Sequence, residues 1–201
     1  MPQLARICKT DVRNIDLRHL HDRFGWQAGR GVLRAGALYR TEAFMNMPDD
    51  QRCGRKVGQT IHIEHTAPVA ILADKLGAYN IKGPVDVLIW LLAHSVTVAV
   101  RGGKCKSDPD CERNNMVHLG QRDKTHVFEA DHEDEGLPFR RYNASKHSKI
   151  WDVVNKHPID PNEFSFADHR AVMSKALEWS GLDDWSKAMS AFSSAGLRIQ
   201  V

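Results

Sequence analysis

Hydrophobic and polar positions alternate over Thr60–Glu64, with Ile61 and Ile63 on one face of an extended strand and His62 and Glu64 on the other. Past Pro68 the period lengthens. Val69, Leu72, Ala73 and Leu76 follow helical spacing, Asp74 and Lys75 take the polar side, Pro68 suits the first turn and Gly77 a stop. Pro84–His94 (PVDVLIWLLAH) is almost wholly apolar and predicts a buried helix of about three turns. Ser95–Val100 (SVTVAV) is rich in β-branched residues and predicts a strand, ended by Arg101-Gly102-Gly103. A shorter helix is predicted from Ile15 to Arg23. In the tail, Ser165 caps a helical run through Trp179, Gly181 breaks it, and Asp183 or Asp184 starts a second run to Ser194. Trp151, Val154, Phe166, Val172, Met173, Leu177 and Trp185 are the core candidates of that region.

Together these elements predict an α+β fold: a small β-sheet packed against several helices, with a helical C-terminal segment. A chain of 201 residues fits one domain. Within it we distinguish a basic Arg/Gly-rich front (1–58), a central core (59–149) and a helical C-terminal part (150–201). Residues 25–41 carry four glycines, three arginines, Trp26 and Tyr39. They predict either a glycine-punctuated hairpin or loop with Leu33, Leu38 and Tyr39 packed inward, or a phosphate- and base-contacting surface. Residues 46–58 and 104–126 are polar and loop-like.

A hydrophobic content of 42% and a charged content of 26% are ordinary for a globular protein and argue against disorder. The net charge of +3 is small but uneven. Residues 1–60 hold eleven Lys or Arg, nine of them Arg, against six Asp or Glu, a balance of +5. Residues 150–201 hold five against seven, a balance of −2. An Arg-rich front suits phosphate, because the guanidinium fork binds oxygens in pairs. The N-terminal stretch lacks the apolar core of a signal peptide, and no apolar run is long enough for a membrane helix. Cys8, Cys53, Cys105 and Cys111 form no CxxC pair. The expectation is a cytoplasmic protein with free thiols and no membrane partner.

The densest chemistry lies in Ile61-His62-Ile63-Glu64-His65-Thr66-Ala67-Pro68-Val69. A histidine beside a carboxylate can act as a general base whose partner fixes the ring tautomer, or the two can ligate a divalent metal. His62 and Glu64 can share a face. Glu64 and His65 act together only if the strand ends or twists between them, since neighbours on a strand point apart. The structural alternative is a pair of satisfied histidines near a sheet edge.

Glu64-His65-Thr66-Ala67-Pro68-Val69 resembles the acidic-His-x-x-Pro-apolar signature of the HNH, or ββα-metal, nucleases, over six residues. The resemblance implies that His65 activates water against a phosphodiester and that Glu64 ligates the metal or orients the histidine. His62-Ile63-Glu64 is also similar to the His-x-Glu of zinc-dependent nucleobase deaminases. That family continues with Pro-Cys-x-x-Cys, whereas Cys105 and Cys111 stand five residues apart with Pro109 between them. The HExxH and HxxEH spacings of metalloproteases are absent.

Four further groups complete the expected set. Asp131 and His132, in the acidic cluster 131–136, suit a hard cation such as Mg2+ or Mn2+ together with Glu64 and His62; the alternative is an exposed acidic loop. Arg140, Arg141, Tyr142 and Asn143 suit a phosphate clamp, with Arg141 nearest the reacting group; the alternative is an aromatic-anchored turn with its arginines in water. Arg30 and Arg34 belong to the basic front and suit sequence-independent backbone contacts. Cys53, Cys105 and Cys111, with Cys8 or a histidine, are candidates for a structural Zn2+.

The sequence therefore predicts a divalent-metal-dependent DNA endonuclease of the restriction, phage or defence kind. A homodimer is an option if it cuts both strands of a palindrome. The competing expectation is a non-catalytic nucleic-acid-binding protein in which His62–His65 is structural.

Overall fold

The computed structural model describes residues 38–48, 61–79, 84–102, 112, 128, 136–140, 142 and 149–179; for residues 84, 85, 88 and 177–179 only the helical backbone is included. The expected helices over 15–23 and 183–194, and the core candidate Trp185, lie outside the described residues.

Among the described residues, five strands form one mixed sheet: β1 (Tyr39–Thr41), β2 (Ile61–His65), β3 (Thr97–Arg101), β4 (Ile150–Asp152) and β5 (His157–Pro158). Their spatial order is β2-β3-β1-β4-β5, which leaves β2 at one edge of the described sheet. β1 and β3 run parallel, and the other neighbours pair antiparallel. Among the described residues, four helices accompany the sheet: α1 (Glu42–Met45), α2 (Val69–Ala78), α3 (Pro84–His94) and α4 (Phe166–Trp179). The α+β expectation is met, and the strands at 61–65 and 97–101 and the helices at 69–78, 84–94 and 166–179 match those predicted to within a few residues.

The period-two pattern divides two apolar clusters between the faces of the sheet. Tyr39, Val98, Val100 and Ile150 join the main core with Leu72 and Leu76 of α2, Leu91 and Leu92 of α3, and Phe166, Val172 and Met173 of α4. Each fully buried leucine there contributes about 2 kcal/mol of hydrophobic stabilisation. Ala99 and Ile61 belong to a smaller cluster with Phe44 of α1 and the following Met47, against which Ile63 packs.

β1 is the element the sequence concealed. Leu38 to Thr41 were expected in a hairpin or loop, yet Tyr39–Thr41 is wholly buried and central. Its place comes from pairing on both sides, Tyr39 with Val98 and Asp152, and Arg40 with Ala99 and Trp151. The inward packing expected of Leu38 and Tyr39 is present. Thr41 ends the strand by capping α1, accepting from the Phe44 N–H at 3.3 Å.

Helix ends follow local chemistry. At α2, Pro68 offers its carbonyl to Ile71 and Leu72, and the helix runs one residue past Gly77 before Tyr79 turns extended. At α4, Ser165 and Asp168 cap reciprocally: the Ser165 hydroxyl accepts from the Asp168 N–H at 3.2 Å, while the Asp168 carboxylate accepts from the Ser165 N–H at 2.8 Å. Between β4 and β5, Asp152 accepts from the N–H groups of Val154 and Asn155, and Lys156 turns the chain at φ 61°. Lys175 of α4 donates to Asn155 Oδ1 at 2.8 Å, tying this turn to the helix.

Candidate functional site

β2 pairs with β3 along its whole length, from Ile61 opposite Arg101 to His65 opposite Thr97. The strand therefore continues through His65, and the side chains of Glu64 and His65 stand on opposite faces. The twist that would let those two neighbours act together is not there. Glu64 is instead joined to His62, with His62 Nε2 to Glu64 Oε2 at 2.9 Å. The two side chains keep 29% and 16% of their surface exposed.

The hydrogen bond fixes the ring's chemistry. A carboxylate only accepts, so His62 donates from Nε2, and in the neutral imidazole the lone pair lies on Nδ1. Nδ1 is thus the atom able to take a proton or to ligate a metal. β-Alternation at the spacing His-x-Glu is what brings the two together.

Backbone contacts hold this strand in place. Thr66 closes it, its N–H donating to the Val96 carbonyl at 2.9 Å and its hydroxyl to the same oxygen. At the other end Gly102 lies against the dyad's backbone: a Cβ there would meet the Ile61 carbonyl carbon at 2.9 Å, the His62 nitrogen at 3.0 Å and His62 Cβ at 3.1 Å. Only a residue without a side chain permits that approach.

One buried carboxylate that serves the same sheet was passed over in the sequence. Glu112, only 4% exposed, uses Oε2 to accept from the Thr41 hydroxyl and from the Arg101 N–H, the latter at 3.0 Å. It joins the carboxyl ends of the parallel strands β1 and β3, the kind of edge at which open sheets build sites. Register places His62, Val100, Thr41 and Ile150 in one row across four strands, so Glu112 caps the row that His62 begins. The stretch around it was expected to be a polar loop, whereas the backbone at Glu112 itself is helical; an acid in such a stretch, far in sequence from Thr41, carries no periodic signal that could have marked it.

Of the remaining expected residues, Arg140 and Tyr142 are described. Arg140 is exposed, whereas Tyr142 is fully buried and packs 6.1 Å from the Phe139 ring. The Tyr142 N–H donates to the Phe139 carbonyl, which makes 139–142 an aromatic-anchored turn. This burial takes the Tyr142 ring away from a surface ligand. Arg30, Arg34, Arg141, Asn143, Asp131, His132, Cys8, Cys53, Cys105 and Cys111 lie outside the described residues. Among the described residues, no three His, Cys, Asp or Glu side chains are grouped to hold a metal, and no helix is long and apolar enough to cross a membrane.

Comparison with protein families, with characterised proteins and with solved structures gave no match.

Proposed function

We propose that the protein is a divalent-metal-dependent nuclease that hydrolyses DNA phosphodiesters, with β2 as its catalytic strand. The observation that carries this reading is the partly exposed His62–Glu64 hydrogen bond of 2.9 Å on an edge strand. In this reading His62 Nδ1 takes the proton of the attacking water and Glu64 holds the ring and balances its charge. Glu64, Asp131 and His132 supply the carboxylate and nitrogen donors suited to Mg2+ or Mn2+, which when bound would polarise the phosphate and lower the pKa of water, while the single lone pair of His62 is kept for the proton. Arg140 and Arg141, with Arg30 and Arg34 of the basic front, provide phosphate contacts. His65 stands on the opposite face of the sheet and takes no part in the proton transfer.

The test is incubation of the purified protein with plasmid and phage DNA in Mg2+ and in Mn2+, with and without EDTA. Cleavage that EDTA abolishes is expected. Salt-sensitive DNA binding without cleavage in any divalent ion would identify a non-catalytic nucleic-acid-binding protein instead.

A further inference from the structure

The end of the sheet nearest His62 is closed by a side chain rather than by a strand. The Val96 carbonyl points to β2, where the Thr66 N–H donates to it at 2.9 Å. Backbone groups two residues apart on a strand point the same way, so Val98 and Val100 also turn theirs to β2, while Ala99 and Arg101 turn theirs to β1. β1 ends at Thr41, however, and α1 begins at Glu42. On its β4 flank the pairing goes one step further, the Glu42 N–H donating to the Lys149 carbonyl at 2.8 Å. On its β3 flank Glu112 takes over: one oxygen, Oε2, accepts from the Arg101 N–H at 3.0 Å and from the Thr41 hydroxyl.

Arg101 leads directly into Gly102, the residue packed against the dyad. A Cβ on Gly102 would come within 2.9–3.1 Å of the Ile61 carbonyl carbon, the His62 nitrogen and His62 Cβ. Gly102 therefore lies against the atom from which the His62 ring pivots. The two members of the pair are held differently. Glu64 sits within the β2–β3 ladder opposite Val98, whereas His62 is one pair from its end at Ile61 and Arg101. A shift of Arg101 and Gly102 reaches His62 before it reaches Glu64, and so opens the 2.9 Å bond between them. Glu112, 4% exposed, fastens that end of β3 to β1.

We propose that Glu112 is a positioning residue for the His62–Glu64 pair. By holding Arg101 it keeps Gly102 against His62, and so keeps His62 Nε2 on the Glu64 carboxylate and the neutral ring in its Nε2–H tautomer. The consequence for catalysis rests on the nuclease reading of that pair; the effect on the ring does not.

The test reads the two imidazole 15N shifts of His62 in full-length protein labelled with 15N-histidine, assigned through His62→Gln. The neutral ring of the wild type should show the Nε2–H tautomer. Glu112→Ala should shift His62 toward a mixture of tautomers, and Glu112→Gln, which keeps an accepting oxygen, should return it toward the wild type. Glu112→Asp, one methylene too short to reach both donors, gives the same readout if Glu112→Ala does not fold. Val172→Ala, in the core on α4, controls for lost stability and should leave His62 unchanged. In plasmid cleavage Glu112→Ala should lower kcat roughly ten- to a hundredfold with KM kept. A wild type that cuts no DNA defeats the nuclease reading alone, and the tautomer still decides the positioning. His62 shifts that stay unchanged in the folded Glu112 variants, or that move as far in Val172→Ala, would overturn the proposal and leave Glu112 a clamp for the sheet only.

Discussion

Tyr39 and His169, 130 residues apart, share a buried hydrogen bond of 2.7 Å between the phenol oxygen and Nδ1. The far side of the imidazole fixes its direction. Leu92 presents a carbonyl to His169 Nε2 at 2.9 Å, so Nε2 donates and Nδ1 of the neutral ring accepts from the phenol. The chain Tyr39–His169–Leu92 links β1, α4 and α3 through the core. Tyr39→Phe removes the phenol donor from Nδ1 and costs about 1–3 kcal/mol, measured by urea unfolding at neutral pH.

The same tyrosine makes alkaline stability a test. Burial, followed by the charges of Asp152 and Asp168, holds its phenol well above the ordinary 10.0. The folded state thus keeps a proton that the unfolded chain releases once pH passes its own tyrosine value. The stabilisation is complete below pH ~10 and is lost as pH rises from there through the folded pKa. Urea midpoints should therefore fall more steeply above pH ~10 in the wild type than in Tyr39→Phe. Identical slopes would deny Tyr39 this role.

Gly102 permits the backbone approach that seats His62. Gly102→Ala puts a methyl group within 2.9–3.1 Å of Ile61 and His62, two of the three contacts being backbone atoms. The cost is about 1–3 kcal/mol, as for other overpacked sites. In a histidine-selective NMR spectrum the His62 ring signals should move more than those of His169.

Glu112 serves two donors on two strands. Glu112→Ala strips the partner from the Thr41 hydroxyl and the Arg101 N–H, and should cost about 3 kcal/mol in chemical denaturation. Glu112→Gln keeps one acceptor oxygen and should recover part of that loss.

These sites divide by how local their cause is. The His62–Glu64 pair was legible because alternation around Ile61 and Ile63 aligns it whatever the rest of the chain does. The Ser165 cap was legible because its partner Asp168 lies three residues away. β1 was not, since a three-residue strand shows no period and Tyr39–Thr41 is a strand only because β3 and β4 flank it. Arg40 likewise belongs to a residue type that usually faces water, and its burial follows from that central place. The pairing of Glu64 with His65 failed for a geometric reason: the ladder to β3 runs on to Thr97 and holds the strand extended where a twist was needed.

The central claim is that the His62–Glu64 pair performs proton transfer on a phosphodiester. Its most direct test is plasmid cleavage in Mg2+ or Mn2+ by the wild type and by His62→Ala, His65→Ala and Glu64→Gln, with DNA binding measured in parallel. The wild type should cut. His62→Ala should retain binding and lose cleavage on the order of 10²-fold or more, Glu64→Gln should fall between, and His65→Ala should still cut. Wild-type protein that leaves DNA intact in every divalent ion, or His62→Ala that cuts as fast as wild type, would contradict the account.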